Sequence, residues 1–379
     1  MTSEPIHLII ATGGTGGHFY PALALAEECR ERGHKVSLVI SGQREIEHRQ
    51  EAVHNGFQTF RMAAPKLPDR WYKSPDFLLS MGASYRRAHT ILKGLDVDVV
   101  LGMGSFACFP LCAAAGRRKI PVVLHEGNSV VGKANRFLSR WASTLALSLP
   151  AVSEVGVKCP SCVTGMPVRQ KLEKPATAGS DREEFVGEYG LDQNKPTILV
   201  FGGSQGAHGV NCLAREAFEM MTSDNGRFQV IHITGEGDRE KFEKFYKNKQ
   251  IAAYVSSYEK DIERCYAAAD LVICRAGASS VAELALFGLP GIFIPLPSSS
   301  EGHQEKNAAA VSCCDGGYVI DQNDEDAKGR LVELLRSRLE RHEDWKEQGE
   351  NIMSLAKFNA AGNLANVIEK VVNEKRGKE

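Results

Sequence analysis

Long apolar runs are missing from this chain of 379 residues. No uninterrupted stretch approaches the roughly 18 residues that a membrane-crossing helix needs, which excludes a bundle of spanning helices. The start, Met1-Thr2-Ser3-Glu4-Pro5 and then a short apolar run, lacks the basic head and long apolar core of an export signal. The expectation is a cytoplasmic protein, attached to a membrane at most by its surface. Excess charge is missing too. With 46 Lys and Arg against 47 Asp and Glu the net charge is −1, which argues against a nucleic-acid binder that depends on whole-chain basicity. There are 10 cysteines, but no second pair stands at zinc-ligand spacing from Cys159 and Cys162. Several others (Cys29, Cys108, Cys112, Cys274) lie inside apolar runs, so reduced, buried thiols are expected rather than disulfides or a structural zinc.

What is present is an alternation of short β-rich runs with longer amphipathic stretches, the pattern of parallel strands joined by crossover helices. Ile6 to Thr12 reads as a buried strand ending in Gly13-Gly14-Thr15-Gly16-Gly17, and Pro21 to Arg32 carries helical periodicity up to Gly33. Lys35 to Ser41, Phe57 to Arg61, Val97 to Leu101, Pro121 to His125 and Thr144 to Leu147 continue the sheet. From Lys174 to Asp181 the composition turns to that of a linker. Thr197 to Phe201 then opens a second half in the same manner, with Gly202-Gly203-Ser204-Gln205-Gly206 and a helix from about Ala207. The expected fold class is therefore α/β, with two Rossmann-like domains facing across a cleft. Up to Val168 there are 19 basic against 13 acidic residues, a net of +6, while the remainder carries −7; that asymmetry suggests an anionic partner for the first half.

A glycine loop between strand and helix lets backbone N–H groups point at an anion on the helix N-terminus. The spacing narrows the ligand. Gly14 and Gly16 are followed by Phe19 where a dinucleotide fingerprint needs its third glycine, and the second strand ends in Ser41-Gly42 without an acid for an adenosine ribose. The Gly-Lys pairs, Gly132-Lys133-Ala134 and Gly377-Lys378-Glu379, lack the hydroxyl of a phosphate-transfer loop. What remains is a nucleotide or sugar phosphate held by two domains. Three more clusters stand at strand ends: His125-Glu126-Gly127-Asn128, Arg275 to Glu283, and the segment Pro295 to Gly302 leading into His303-Gln304-Glu305-Lys306-Asn307-Ala308. Glu283 is placed to accept both hydroxyls of a ribose. Each residue has a structural reading as well: Glu283 as a helix-start carboxylate, His125 as a satisfied strand-end histidine, His18 as a helix-start polar group. Bland causes do not account for such clusters at successive strand ends in both halves.

Together these motifs resemble the MurG-type glycosyltransferases of family 28. Gly13-Gly14-Thr15-Gly16-Gly17-His18 with Pro21-Ala22-Leu23-Ala24 is similar to that family's first signature, and Gly102-Met103-Gly104, His125-Glu126-x-Asn128, Gly165-x-Pro167-Val168-Arg169, Gly202 to Gly206, the Glu283 segment and His303-Gln304 follow in family order, from about residue 6 to about 370. The resemblance implies a GT-B fold with an acceptor and membrane-facing domain at 1–168, a UDP-sugar domain at 169–355, and a final helix within 356–379 that crosses back to the first domain. It implies inverting transfer of N-acetylglucosamine from UDP-N-acetylglucosamine to the 4-hydroxyl of undecaprenyl-diphospho-N-acetylmuramoyl-pentapeptide, for peptidoglycan synthesis, at the cytoplasmic face of the bacterial inner membrane, with no cofactor or metal required. On the donor it places Thr15, Gly16, Gly17, Asn128, Arg169, Ser204, Gln205, Gly206, Glu259, Ala278, Ser279, Ser280, Val281, Ala282, Glu283, His303 and Gln304; on the acceptor side, Gly104, His125 and Asn135. His18 is the preferred base, since its pKa can lie near neutrality, and Glu126 competes for the role. Residues 61 to 93 hold seven basic residues against two acids, interleaved with Trp71, Tyr72, Phe77 and Leu78. With Lys73 that set suits docking on an anionic lipid surface; a core-facing helix with solvated charges is the other reading.

The chain departs from the family pattern at Ser105 (Gly expected), Gly127 (Gln), Met166 (Asn) and Gly302 (Asp). Other functions open to such a fold are a UDP-sugar 2-epimerase, a transferase acting on another lipid or small acceptor, and a non-catalytic sugar-nucleotide-binding scaffold.

Overall fold

The computed structural model describes residues 4–13, 15–42, 44–63, 75–150, 155–173, 180–203, 208–341 and 343–377. It divides into two units, one of residues 1–170 with 357–379 and one of residues 171–356. The first is built on strands β1 (His7–Thr12), β2 (Lys35–Ile40), β3 (Gln58–Arg61), β4 (Val99–Gly102), β5 (Val122–Glu126), β6 (Thr144–Leu147) and β7 (Ser161–Val163). They lie parallel in the order β3-β2-β1-β4-β5-β6-β7. The second holds β8 (Thr197–Phe201), β9 (Gln229–Ile233), β10 (Ala253–Ser256), β11 (Leu271–Cys274), β12 (Gly291–Phe293) and β13 (Gly317–Val319), parallel in the order β10-β9-β8-β11-β12-β13.

Every residue of β1 is buried, as a central strand covered by helices on both faces requires. The period-2 alternation splits its side chains between two cores. Leu8 and Ile10 join Leu38, Ile40, Phe19 and Leu25 on one face; Ile9 and Ala11 join Val39, Ile91, Leu92, Leu111 and Leu138 on the other. The helix Ala360–Arg376 lies on the first face, adding Leu364, Ala365, Ile368 and Val372. Each large aliphatic side chain buried there contributes roughly 1.5–3 kcal/mol, so this helix is an integral part of the first unit. Glu369 fastens it, accepting from Arg32 Nη1 at 3.1 Å and facing His34 Nε2 at 3.0 Å. Burial of Glu369 opposes ionisation, but the hydrogen bonds from His34 and Arg32 prevail and hold its carboxyl below the usual range. In the second unit Ile198, Val200, Val230, Leu271 and Ile273 pack against Val210, Phe218, Phe242 and Leu335 from the covering helices.

Two boundaries differ from the sequence reading. The first helix runs Gly16–Glu31 with Pro21 inside it, rather than starting at Pro21. Proline there forfeits only the bond to the carbonyl of Gly17, and Gly17 is exposed to solvent. The short strand β7, which contains Cys162, was not expected. All ten cysteines are free.

The strand order reverses between β1 and β4 in one unit and between β8 and β11 in the other. At such a switch point the helices leave toward opposite faces and a crevice opens at the carboxyl ends of the strands, where ligands of this fold class bind.

Candidate functional site

At the first switch point the ends of β1, β4 and β5 come together. Thr15 starts the helix Gly16–Glu31 in an extended conformation, and its carbonyl accepts from the amides of His18 and Phe19, each at 3.1 Å. His18 packs against two glycines. A Cβ on Gly13 would lie 3.6 Å from His18 Cδ2; one on Gly104 would lie 3.4 Å from His18 Cε1 and 3.5 Å from the carbonyl oxygen of His125. Gly104 has φ +83°, a left-handed conformation that favours glycine. Its neighbour Ser105 has φ 67° and ψ 150°, a region that is nearly glycine-only. The backbone thus supplies a reason for the glycine that the family pattern carries at this position.

His125 and Glu126 close strand β5. His125 is fully buried, with Nε2 3.3 Å from the Gly165 carbonyl and 3.2 Å from Ser148 Oγ. Burial pushes its pKa down to about 4, so the ring is neutral. Glu126 has both carboxylate oxygens engaged. Oε1 accepts from the amide and side chain of Asn128 at 3.1 and 2.9 Å; Oε2 accepts from the Gly132 amide and Asn135 Nδ2, each at 2.9 Å. Asn135 Nδ2 also reaches the His125 carbonyl at 3.0 Å. Glu126 is therefore the organiser of the loop after β5, and Asn128 and Asn135 are fixed by it.

At the second switch point Ala278, Ser279, Ser280, Val281 and Ala282 form the first turns of the helix Ala278–Phe287, entered from Gly277 with no side-chain cap. Ser279 Oγ is buried without a partner. Glu283 accepts from the hydroxyl of buried Tyr266 at 2.8 Å. Arg275, which ends β11, is only 6% exposed. Its Nη1 donates to the carbonyls of Ile294 and Pro295 at 3.0 and 3.1 Å and to Gln322 Oε1 at 2.7 Å. All three are uncharged acceptors, and burial lowers its pKa, so a cation is kept beneath this strand end with only neutral partners. Gln304 Oε1 accepts from the Leu296 amide at 2.9 Å, tying helix His303–Cys313 to the loop after β12. His303 Nδ1 is buried without a partner. Gly302 enters that helix with φ 65°.

Other expected residues are placed less centrally. Glu259 Oε1 accepts from the Asp261 amide at 3.2 Å. Arg169 belongs to the first unit, where its charge acts on Glu27. Gly14, Ser204, Gln205, Gly206, Trp71, Tyr72 and Lys73 lie outside the described residues. Phe77, expected at the membrane surface, is 6% exposed, with its ring 6.1 Å from that of Phe106, on the inward face of the helix Pro75–Gly94. Leu78 and Leu79 on that helix are exposed. Phe106, Phe109, Phe137 and Trp141 continue in an aromatic row with centroids 5.3 to 5.6 Å apart, and the Arg140 guanidinium sits 3.9 Å over Phe137. Phe137 and Trp141 are exposed. Among the described residues no helix is long and apolar enough to cross a membrane, and no three metal-ligating side chains converge. Tyr266 and Gln322 are the site residues that sequence reasoning passed over; Arg275 was named there as the start of a cluster but given no role of its own.

The glycosyltransferase family 28 N-terminal domain matches residues 8–147 and the family's C-terminal domain matches residues 197–365. The chain belongs to glycosyltransferase family 28. Among relatives of this family 28 chain, a UDP-N-acetylglucosamine–N-acetylmuramyl-(pentapeptide) pyrophosphoryl-undecaprenol N-acetylglucosamine transferase of Desulforamulus reducens is 32% identical, over 96% of this chain and 98% of the relative. One with the same name from Magnetococcus marinus is 34% identical over 99% of this chain and 100% of its own. The crystal structure of MurG from Acinetobacter baumannii superposes with a TM-score of 0.77 at 24% identity, covering 97% of this chain and 100% of that one. A structure titled putative UDP-N-acetylglucosamine 2-epimerase, from Listeria monocytogenes, reaches 0.68 at 12% identity over 98% and 97%. The fold is thus common to transferases and epimerases, and sequence identity, not fold, separates them.

Proposed function

We propose that this family 28 enzyme transfers N-acetylglucosamine from UDP-N-acetylglucosamine to the 4-hydroxyl of an undecaprenyl-diphospho-N-acetylmuramoyl-pentapeptide, with inversion at the anomeric carbon. The observation that carries this reading is 32% and 34% identity, over nearly the full length, to transferases named for that donor and acceptor. Glu283, oriented by Tyr266, takes the ribose hydroxyls. The uncapped helix start at Ala278 and the helix start at His303 meet the phosphates and the sugar, with the buried Arg275 charge beneath them. Ser204, Gln205 and Gly206 join the diphosphate set. In the transfer the acceptor oxygen bonds to the anomeric carbon, the bond from that carbon to the diphosphate oxygen breaks, and UDP departs with the electron pair. His18 takes the acceptor proton. It is preferred over Glu126 because the Glu126 carboxylate already accepts four hydrogen bonds.

The acceptor's lipid places the reaction at the cytoplasmic face of a bacterial inner membrane. Exposed Leu78, Leu79, Phe137 and Trp141 beside Arg140 support docking there: apolar side chains to insert and a cation to meet anionic headgroups. The test is transfer of labelled N-acetylglucosamine with and without the lipid-linked acceptor, for wild type and Glu283→Ala. Labelled lipid that requires the acceptor and is lost in the variant supports the reading. Sugar isomerisation, or UDP release without labelled lipid, overturns it.

A further inference from the structure

The second unit carries a nucleophile cluster none of whose members is assigned above. On the helix His208–Met220, Cys212 Sγ lies 3.6 Å from His208 Nε2, and His208 Nδ1 lies 3.7 Å from Asp238 Oδ2. Asp238 Oδ2 also accepts from Asn211 Nδ2 at 3.4 Å, which steadies the carboxylate. Val210, Asn211, Leu213 and Ala214 turn to the core, leaving Cys212 half-buried on the outer face with His208 one turn before it. Thiol, imidazole and carboxylate in that succession can remove a thiol proton and leave a nucleophilic sulfur.

Three residues beyond Cys212 on the same helix, Arg215 lines a cavity of about 520 Å³ together with Lys241, Lys244, Glu240 and Phe245; Gly237, next to Asp238 in the chain, also lines it. Three cations against one carboxylate make it positive on balance. Arg215 Nε is buried without a hydrogen-bond partner, and among the described residues no ion pair engages Arg215, Lys241 or Lys244. Lys241 Nζ sits 6.0 Å over the Phe242 ring, and none of the three cations is held by a described carboxylate.

We propose that Cys212 is a thiol–disulfide exchange site for small disulfides that carry carboxylates. His208 takes the thiol proton and the Cys212 sulfur attacks one sulfur of the incoming disulfide. The old sulfur–sulfur bond breaks as the new one forms, and the departing thiolate recovers the proton. One disulfide replaces another, so no external oxidant or reductant is needed. Arg215, Lys241 and Lys244 hold the carboxylates.

The test treats the reduced full chain with glutathione disulfide and, separately, with uncharged 2-hydroxyethyl disulfide, and locates adducts over time by peptide mass mapping. Cys313, which is exposed, is the internal control. Cys212 is expected to react about tenfold faster than Cys313, reversibly with dithiothreitol, and His208→Gln is expected to slow its reaction with both reagents. The double variant Lys241→Ala with Lys244→Ala, at two exposed positions, is expected to slow only the glutathione reaction, by about threefold or more. Reaction at Cys313 before Cys212, or lysine variants that change both reagents' rates alike or neither, would overturn the proposal.

Discussion

In the proposed donor site, Tyr266 acts through Glu283 without meeting the ligand itself. Its hydroxyl is the donor that fixes Glu283 Oε2, and a hydrogen bond to a charged group contributes roughly 1.5–3 kcal/mol. Tyr266→Phe is expected to weaken donor binding about tenfold, the equivalent of about 1.4 kcal/mol, with kcat little changed; an unchanged KM for the UDP-sugar would remove Glu283 from the ribose. Ser105 makes the converse point. A serine held at φ 67° and ψ 150° stores backbone strain of order 1–3 kcal/mol. Ser105→Gly is expected to raise stability in denaturant melts by about 1 kcal/mol, after the entropy cost of glycine is deducted. A lower melting midpoint in that variant would show that the Ser105 side chain, which accepts from the Ala107 amide at 3.4 Å, outweighs the strain.

Strands and loops differ in how far they could be read beforehand. Strands β8 and β11 coincide with the apolar runs Thr197 to Phe201 and Leu271 to Cys274, because a buried parallel strand is a continuous apolar segment cut off by glycine or a polar residue. Strand β7 was illegible: three residues, Ser161 to Val163, at a sheet edge, carry no periodicity. Tyr266 was illegible for another reason, since it reaches Glu283 from a neighbouring helix and no spacing rule joins the two. The loop after β5 lies between these cases. Its residues stood out in the sequence, but the carboxylate read there as a possible base proves to be the hub of four hydrogen bonds. Glu126→Gln sets an amide NH₂ against two donors, so stability is expected to fall by roughly 3 kcal/mol, and activity with it. His18→Gln should instead lower kcat by roughly 10²–10⁴ with the melting temperature unchanged. Parallel rate and melting measurements on the two variants separate them, and a stable but inactive Glu126→Gln would return the base to Glu126.

For the molecule as a whole, buried histidines shape its response to acid: burial lowers the pKa of His7 and His48, and that of two others further. His125 has its pKa pushed down to about 4 and His232 to about 3, chiefly by burial, against about 6.5 in an unfolded chain. Between those values the unfolded chain binds more protons than the folded one, so stability rises with pH through the window and is lost as pH falls below about 6.5. His125 alone accounts for roughly 3 kcal/mol of that loss by pH 4. Denaturant melts across that range are expected to show the decline, with a shallower slope for His232→Gln; a slope unaffected by the substitution would locate the acid sensitivity elsewhere. The layout of the units has a further consequence, one of timing. The second unit is continuous, 171–356, whereas the first is completed by the helix Ala360–Arg376, which adds Leu364, Ala365, Ile368 and Val372 to its core. During synthesis on the ribosome, domains fold as their residues emerge, in N-to-C order. Here the unit that begins first must finish last, and until that helix emerges the core it shares with the helix Gly16–Glu31 is only partly covered. A chain cut before Ala360 would therefore carry all of the second unit and a first unit that still lacks part of its core.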